Sequence, residues 1–178
     1  IRDRPQLRCP IYTMPFTRNV LLRKLRQKGI DAPIVTVQEG ETMTLGSFKI
    51  TWVPITHSTV ETNALLIETS AGRVLHTADW KIDSAPIVGP AFEPDVYRRL
   101  GDDGIDAIVC DSTNANQAGH STSESELFEG LLAAVKGTTG RAVVGCFSSN
   151  VARLQTLGHV AEVSGRYIGV IGRSIEAM

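Results

Sequence analysis

The sequence predicts a mixed α/β protein, antiparallel and β-rich over roughly its first 100 residues and alternating strand with helix after that. Three observations carry this. The stretch 47–55 alternates, with Phe48, Ile50 and Trp52 as one set. The runs NALLIET (63–69) and RVLHTA (73–78) flank Ser70-Ala71-Gly72, a hairpin signal with glycine where positive φ is needed. Beyond residue 100, DAIVCD (106–111), RAVVGCF (141–147) and RYIGVIG (166–172) are continuous apolar runs, the pattern of strands buried on both faces.

Taken in order, CPIYTM (9–14) reads as a short strand. Thr17 caps a following helix, VLLRKLRQK, and Gly29 ends it. Leu21, Leu22 and Leu25 share one face of that helix. Arg23, Lys24, Arg26 and Lys28 make a solvated face with snorkelling stems. IVTV (34–37) and SFKITWVPI (47–55) are strands, and the hairpin follows. Ser121 and Glu124 form a capping box ahead of LFEGLLAAVK. Ser148-Ser149-Asn150 caps the helix VARLQTLGHVAEV. Strand, helix, strand, helix, strand implies parallel pairing through right-handed crossovers.

Composition narrows the function classes. The chain is 42% hydrophobic and 21% charged, which is ordinary for a globular protein. Its net charge of −1 gives no overall basic field, so any contact with nucleic acid has to be local. Cys9, Cys110 and Cys146 form no close pair. The last two sit in apolar runs, as buried reduced thiols do, and an odd count argues for a reducing compartment. No apolar run approaches the ~20 residues that span a bilayer, and no signal peptide is visible. The expectation is a soluble cytoplasmic protein. The start at IRDRPQLRCP and the stop just after a strand-like run suggest that both ends are cut.

Chemistry concentrates at strand ends. If residues 69 and 73 face each other across the hairpin, Asp79 lies level with Asn63. His57, which ends the preceding strand, then reaches the same sheet edge. An imidazole and a carboxylate there suit a borderline metal such as zinc or manganese. They equally suit a general base with its orienting carboxylate, although a residue at such a strand end is more often a hydrogen-bonded surface residue than a ligand. His76 reads as a satisfied core or supporting residue, and His120 and His159 as loop and helix-surface residues. Asp111 ends a strand, a position used for catalysis in α/β sheets and also good turn chemistry before Ser-Thr. Ser148, Ser149 and Asn150 at a helix N-terminus suit either a phosphate or plain capping.

The stretch VPITHSTVETNALLIETSAGRVLHTADWKID (53–83) resembles the later metal-binding motifs of the metallo-β-lactamase superfamily, in the form used by the ribonuclease J family. GIDAIVCDSTNA (104–115), GHSTSESEL (119–127) and CFSSNVARL (146–154) continue the likeness in order, so that it covers most of residues 9–174. Four motifs in order are far more specific than one. The resemblance implies α/β architecture: part of a metallo-β-lactamase αββα sandwich over 1–115, then the start of a β-CASP parallel α/β domain over 116–178. It implies His57 as a ligand to one of two metals and Asp79 as the carboxylate bridging both. Glu124 becomes an acidic catalytic residue that orients a ligand or the attacking water. Ser148, Ser149, Asn150 and Arg153 run close to RNA backbone.

The implied activity is hydrolysis of RNA phosphodiesters, 5′-to-3′ exonucleolytic and endonucleolytic, by water held on two metals. Zinc is the expected metal, with manganese or magnesium as alternatives. RNA is the partner, and the full-length protein is expected to be a homodimer or homotetramer away from any membrane. The sequence departs from the family in lacking His-x-His-x-Asp-His, expected upstream of Ile1. The last histidine ligand and the phosphate-holding motifs are expected downstream of Met178. Ala78 stands where glycine is commoner. The chain alone is therefore expected to cleave nothing. The competing readings are another β-CASP nuclease, acting in RNA 3′-end processing or DNA repair, and a non-catalytic α/β scaffold.

Overall fold

The computed structural model describes residues 8–176, a mixed α/β arrangement around one five-stranded sheet. Strand β1 (Ile11–Thr13) leads into helix α1 (Pro15–Gln27), and β2 (Ile34–Thr36) returns parallel to β1. Strands β3 (Thr42–Leu45), β4 (Phe48–Pro54), β5 (Asn63–Thr69) and β6 (Gly72–His76) form an antiparallel meander. Helix α2 (Pro94–Asp102) then carries the chain to β7 (Ala107–Val109), which adds parallel to β6 at the sheet edge. A 3₁₀ turn at Glu124–Leu127 runs into α3 (Phe128–Lys136), and α4 (Val151–Ser164) packs against both.

Period-two alternation places apolar residues on both faces of the meander. On one face Val53, Ala64, Leu66 and Leu75 are buried beneath Val96, Tyr97 and Leu100 of α2, with Ile105 beside them. On the other face Trp52 joins Met14 and Val37, with Tyr12, Met43, Ile50 and Leu65 around them. Each face needs a cover because each carries aliphatic side chains, and both α2 and the β1–β2 pair serve as covers. Tyr97 keeps its hydroxyl satisfied by donating to the Pro54 carbonyl at 2.9 Å, and burial pushes its phenol up from the usual tyrosine range.

Several expectations are corrected. Helix α1 begins at Pro15, whose ring fixes φ for the first helical position, so Met14 is the N-cap and Thr17 lies inside the first turn. Gly29 does follow the helix at φ +62. Strand β3 and helix α2 were not anticipated. The hairpin closes one residue tighter than expected: Thr69 pairs with Gly72 and Leu65 with His76. Gly72 is needed there for space. A Cβ at its φ of +150 would sit 2.7 Å from Asp106 Oδ2, which accepts the Arg73 N–H at 2.7 Å.

The second half departs further. Strand β7 is not buried on both faces; Ile108 is 61% exposed. Neither 141–147 nor 166–172 forms a strand, and Val143, Phe147, Tyr167 and Ile171 stand almost fully exposed. An apolar run becomes a strand only where a neighbour completes its hydrogen-bond ladder, and among the described residues these runs have none. Cys110 is exposed and Cys146 half-buried for the same reason, contrary to the buried thiols expected. The capping box also differs. Ser123, not Ser121, caps the 3₁₀ turn, and Glu124 turns inward. Asn150 caps α4 as anticipated, its Oδ1 accepting the Arg153 N–H at 2.9 Å.

Candidate active site

His57 stands just beyond the end of β4, and Glu124 opens the 3₁₀ turn. The fold brings both to one narrow cleft of about 30 Å³, which Ser58, Lys81, Asp83 and Ala152 also line. That volume is about what one water needs. His57 also lines a second recess of about 180 Å³, walled by the end of β4, the 59–62 turn and Val88–Phe92. Ser58 Oγ lies 3.3 Å from His57 Nδ1.

Glu124 is buried at 8% exposure and meets Arg153 from the first turn of α4. The pair is two-pronged: Arg153 Nε donates to Glu124 Oε1 at 2.5 Å and Nη2 to Oε2 at 3.2 Å. Hydrogen bonding to that carboxylate raises the guanidinium above its already high range, against the pull of burial. Two residues assigned separately, one to catalysis and one to RNA, are thus partners. Ser148 is half-buried and Ser149 exposed in the turn before α4. The Ala152 N–H docks on the Ser58 carbonyl at 3.1 Å, tying α4 to the His57 turn.

Asp79 is exposed and lines neither recess. The tighter hairpin register and the end of β6 at His76 leave it on the loop beyond the sheet. Ala78 before it adopts φ +54, a left-handed conformation costly for a residue with a Cβ. The Ala78 N–H donates to His76 Nδ1 at 3.1 Å. His76 is thus exposed rather than core, and serves the corner that presents Asp79. Asp111 lies at the same edge, its carbonyl accepting from Trp80 Nε1 at 3.0 Å. The Thr113 hydroxyl and N–H hold the Asp111 carboxyl below the usual range, with a lesser contribution from His57. His120 and His159 are both exposed, as expected.

Sequence reasoning missed Asp83, buried at 7% exposure and facing the cleft. Its signal was available: Lys81-Ile82-Asp83 puts a charged pair directly after HTADW, where a surface loop needs none. Among the described residues no group of three or more His, Cys, Asp or Glu side chains converges as a metal would need. His57 and Asp79 are therefore at most a partial donor set. No described helix is long and apolar enough to cross a membrane.

No protein-family model matches the chain. Among curated proteins it is 37% identical over 174 residues to ribonuclease J of Sinorhizobium meliloti, covering 97% of this chain and 31% of that protein. It is 32% identical over 176 residues to ribonuclease J of Helicobacter pylori J99, covering 96% of this chain and 25% of that one. The chain thus spans a quarter to a third of the length of these relatives. A crystal structure of a protein of unknown function from Enterococcus faecalis V583 superposes with a TM-score of 0.62 at 14% identity, over 89% of this chain and 41% of that one, and shares the fold. Along almost its whole length, then, this chain is similar in sequence to part of ribonuclease J.

Proposed function

We propose that the protein containing this chain is a metal-dependent ribonuclease that hydrolyses RNA phosphodiesters, both from the 5′ end and internally. The supporting observation is the likeness to ribonuclease J along 97% of the chain, which includes the cleft lined by His57 and by Glu124, the latter held by Arg153. In this reading His57 and Asp79 supply two of the donors to a metal centre, with zinc preferred and manganese or magnesium as alternatives. The described residues of this chain do not complete that centre. A bound metal would lower the pKa of an attacking water.

What this chain's own residues contribute is positioning and charge. Glu124 occupies Nε and one Nη2 hydrogen of Arg153. Among the described residues nothing else takes the remaining guanidinium hydrogens, which suit a phosphate oxygen. With a net charge of −1, such local cations must replace a general basic field. Ser148, Ser149 and Asn150 stand beside Arg153 at the start of α4 and extend the same backbone-facing strip.

The test uses the full-length protein, a 5′-monophosphorylated RNA, and metal content measured on the same samples. His57→Ala and Asp79→Ala are each expected to lose bound metal and to cut cleavage by roughly a hundredfold or more. Unchanged metal stoichiometry and rate in both variants would remove the assignment.

A further inference from the structure

Asp83 lines the cleft together with His57 and Glu124. Its Oδ1 accepts from Ser123 Oγ at 2.8 Å and from the Ala85 N–H at 3.0 Å. Its Oδ2 lies 3.4 Å from Lys81 Nζ. Its own N–H donates to Thr56 Oγ1 at 3.1 Å, and its carbonyl accepts the Phe92 N–H at 3.0 Å. Thr56 is buried, donates its hydroxyl to the Lys81 carbonyl, and accepts the Lys81 N–H at 2.8 Å. Lys81 Nζ continues to the Thr122 carbonyl at 2.6 Å. Asp83 therefore holds the residue before His57 and the residue before Glu124 at the same time.

The chemistry of this junction asks for a carboxylate. Every side-chain contact to Asp83 is a donor: a hydroxyl, a backbone N–H and an ammonium. Ser123 has one hydroxyl proton, and its shortest acceptor is Asp83 Oδ1 at 2.8 Å, with Ser125 Oγ at 2.9 Å and the Ala85 carbonyl at 3.1 Å as alternatives. An amide in place of the carboxylate would turn an NH₂ group against one of those donors. Closing the 81–92 loop alone would not call for a buried charge, because an uncharged acceptor would do that without the desolvation cost. The contacts that reach Ser123 and Lys81 are the ones that need it.

We propose that Asp83 is a positioning residue of the cleft, clamping the Thr56–His57 turn to the Ser123–Glu124 turn and so setting how Glu124 stands relative to His57. The proposal rests on the reading of this cleft as the cleavage site. A displacement of about 1 Å between reacting groups lowers rates by as much as a hundredfold.

Single-turnover RNA cleavage by the full-length protein tests it, with Asp83→Asn, Ser123→Ala and the double variant compared against His57→Ala. The single-turnover rate constant is expected to fall roughly tenfold or more in Asp83→Asn and in Ser123→Ala, and no further in the double variant. The amplitude should stay unchanged, whereas a merely structural defect lowers the amplitude and leaves the rate constant alone. If Asp83→Asn does not fold, Ser123→Ala decides, read against Ser125→Ala: both lose a contact of the 3₁₀ turn, and only Ser123→Ala also loses the bond across the cleft. Rate constants within twofold of wild type in Asp83→Asn and Ser123→Ala, with His57→Ala inactive, overturn the clamp alone. An unaffected His57→Ala variant overturns both the site reading and the clamp.

Discussion

The Glu124–Arg153 pair invites a double-mutant cycle. The Glu124 side chain is 10% accessible and that of Arg153 26%. Water therefore solvates neither fully once the partner is gone, but Arg153 more than Glu124. Each hydrogen bond to a charged group contributes about 1.5–3 kcal/mol, and breaking a buried pair costs about 3–5 kcal/mol. Arg153→Ala should cost about 2–4 kcal/mol, because it strands a nearly buried carboxylate. Glu124→Ala should cost less, about 1–2 kcal/mol, because the guanidinium can turn toward solvent. The double variant should recover about 1.5–3 kcal/mol of their sum as coupling. Urea unfolding followed by the fluorescence of Trp52 and Trp80 reads all four proteins. A coupling below about 0.5 kcal/mol, the range of exposed pairs, would show that the two side chains act separately and would refute the partnership.

Three further outcomes follow from named residues. Ala78→Gly should stabilise the chain by about 1 kcal/mol in thermal unfolding, because it relieves the left-handed strain at φ +54; a loss of stability would mean that the Ala78 methyl packs more than it strains. Burial raises the Asp83 carboxyl, but the Ala85 N–H, the Ser123 hydroxyl and Lys81 outweigh it, so its folded pKa lies below the ordinary value of 3.8. Its contribution is therefore complete above that value and lost as pH falls through the folded pKa; acid unfolding of Asp83→Asn should show a shallower decline below about pH 4. Leu66→Ala should cost about 2.5–5 kcal/mol by chemical denaturation, since Leu66 is 4% exposed beneath α2; a cost under about 1 kcal/mol would mean that α2 follows the sheet inward.

Strands β4, β5 and β6 of the meander were legible because alternation is local: Trp52 and Val53 point to opposite faces whatever lies elsewhere. The Asn150 cap was legible for the same reason. What failed depends on partners distant in sequence. RAVVGCF carries the pattern of a strand, yet among the described residues it finds no ladder, and pattern alone cannot supply one. The hairpin register turned on one residue. Gly72 pairs with Thr69 instead of lying in the loop, and that shift of one moves Asp79 off the position inferred for it. His57 and Glu124 were named from motifs 67 residues apart in the chain (124 − 57), and their approach to one cleft is a product of tertiary packing. Asp83 was missed because a carboxylate in a loop reads as solvent-facing until its donors are seen.

The contact between Gly72 and Asp106 has a consequence for how the sequence can drift. Asp106 receives the Arg73 N–H on its side chain and returns its own N–H to the Arg73 carbonyl at 2.9 Å. The position of β7 along β6 is thus keyed by Asp106, just before its first residue, not measured out by the connection that carries α2. Insertions or deletions around α2 should leave the Val74–Ala107 register intact. The key itself is a two-site lock. A side chain at position 72 would occupy the place of the Asp106 carboxylate, so in related chains these two positions are expected to change together, while the crossover between them varies freely in length.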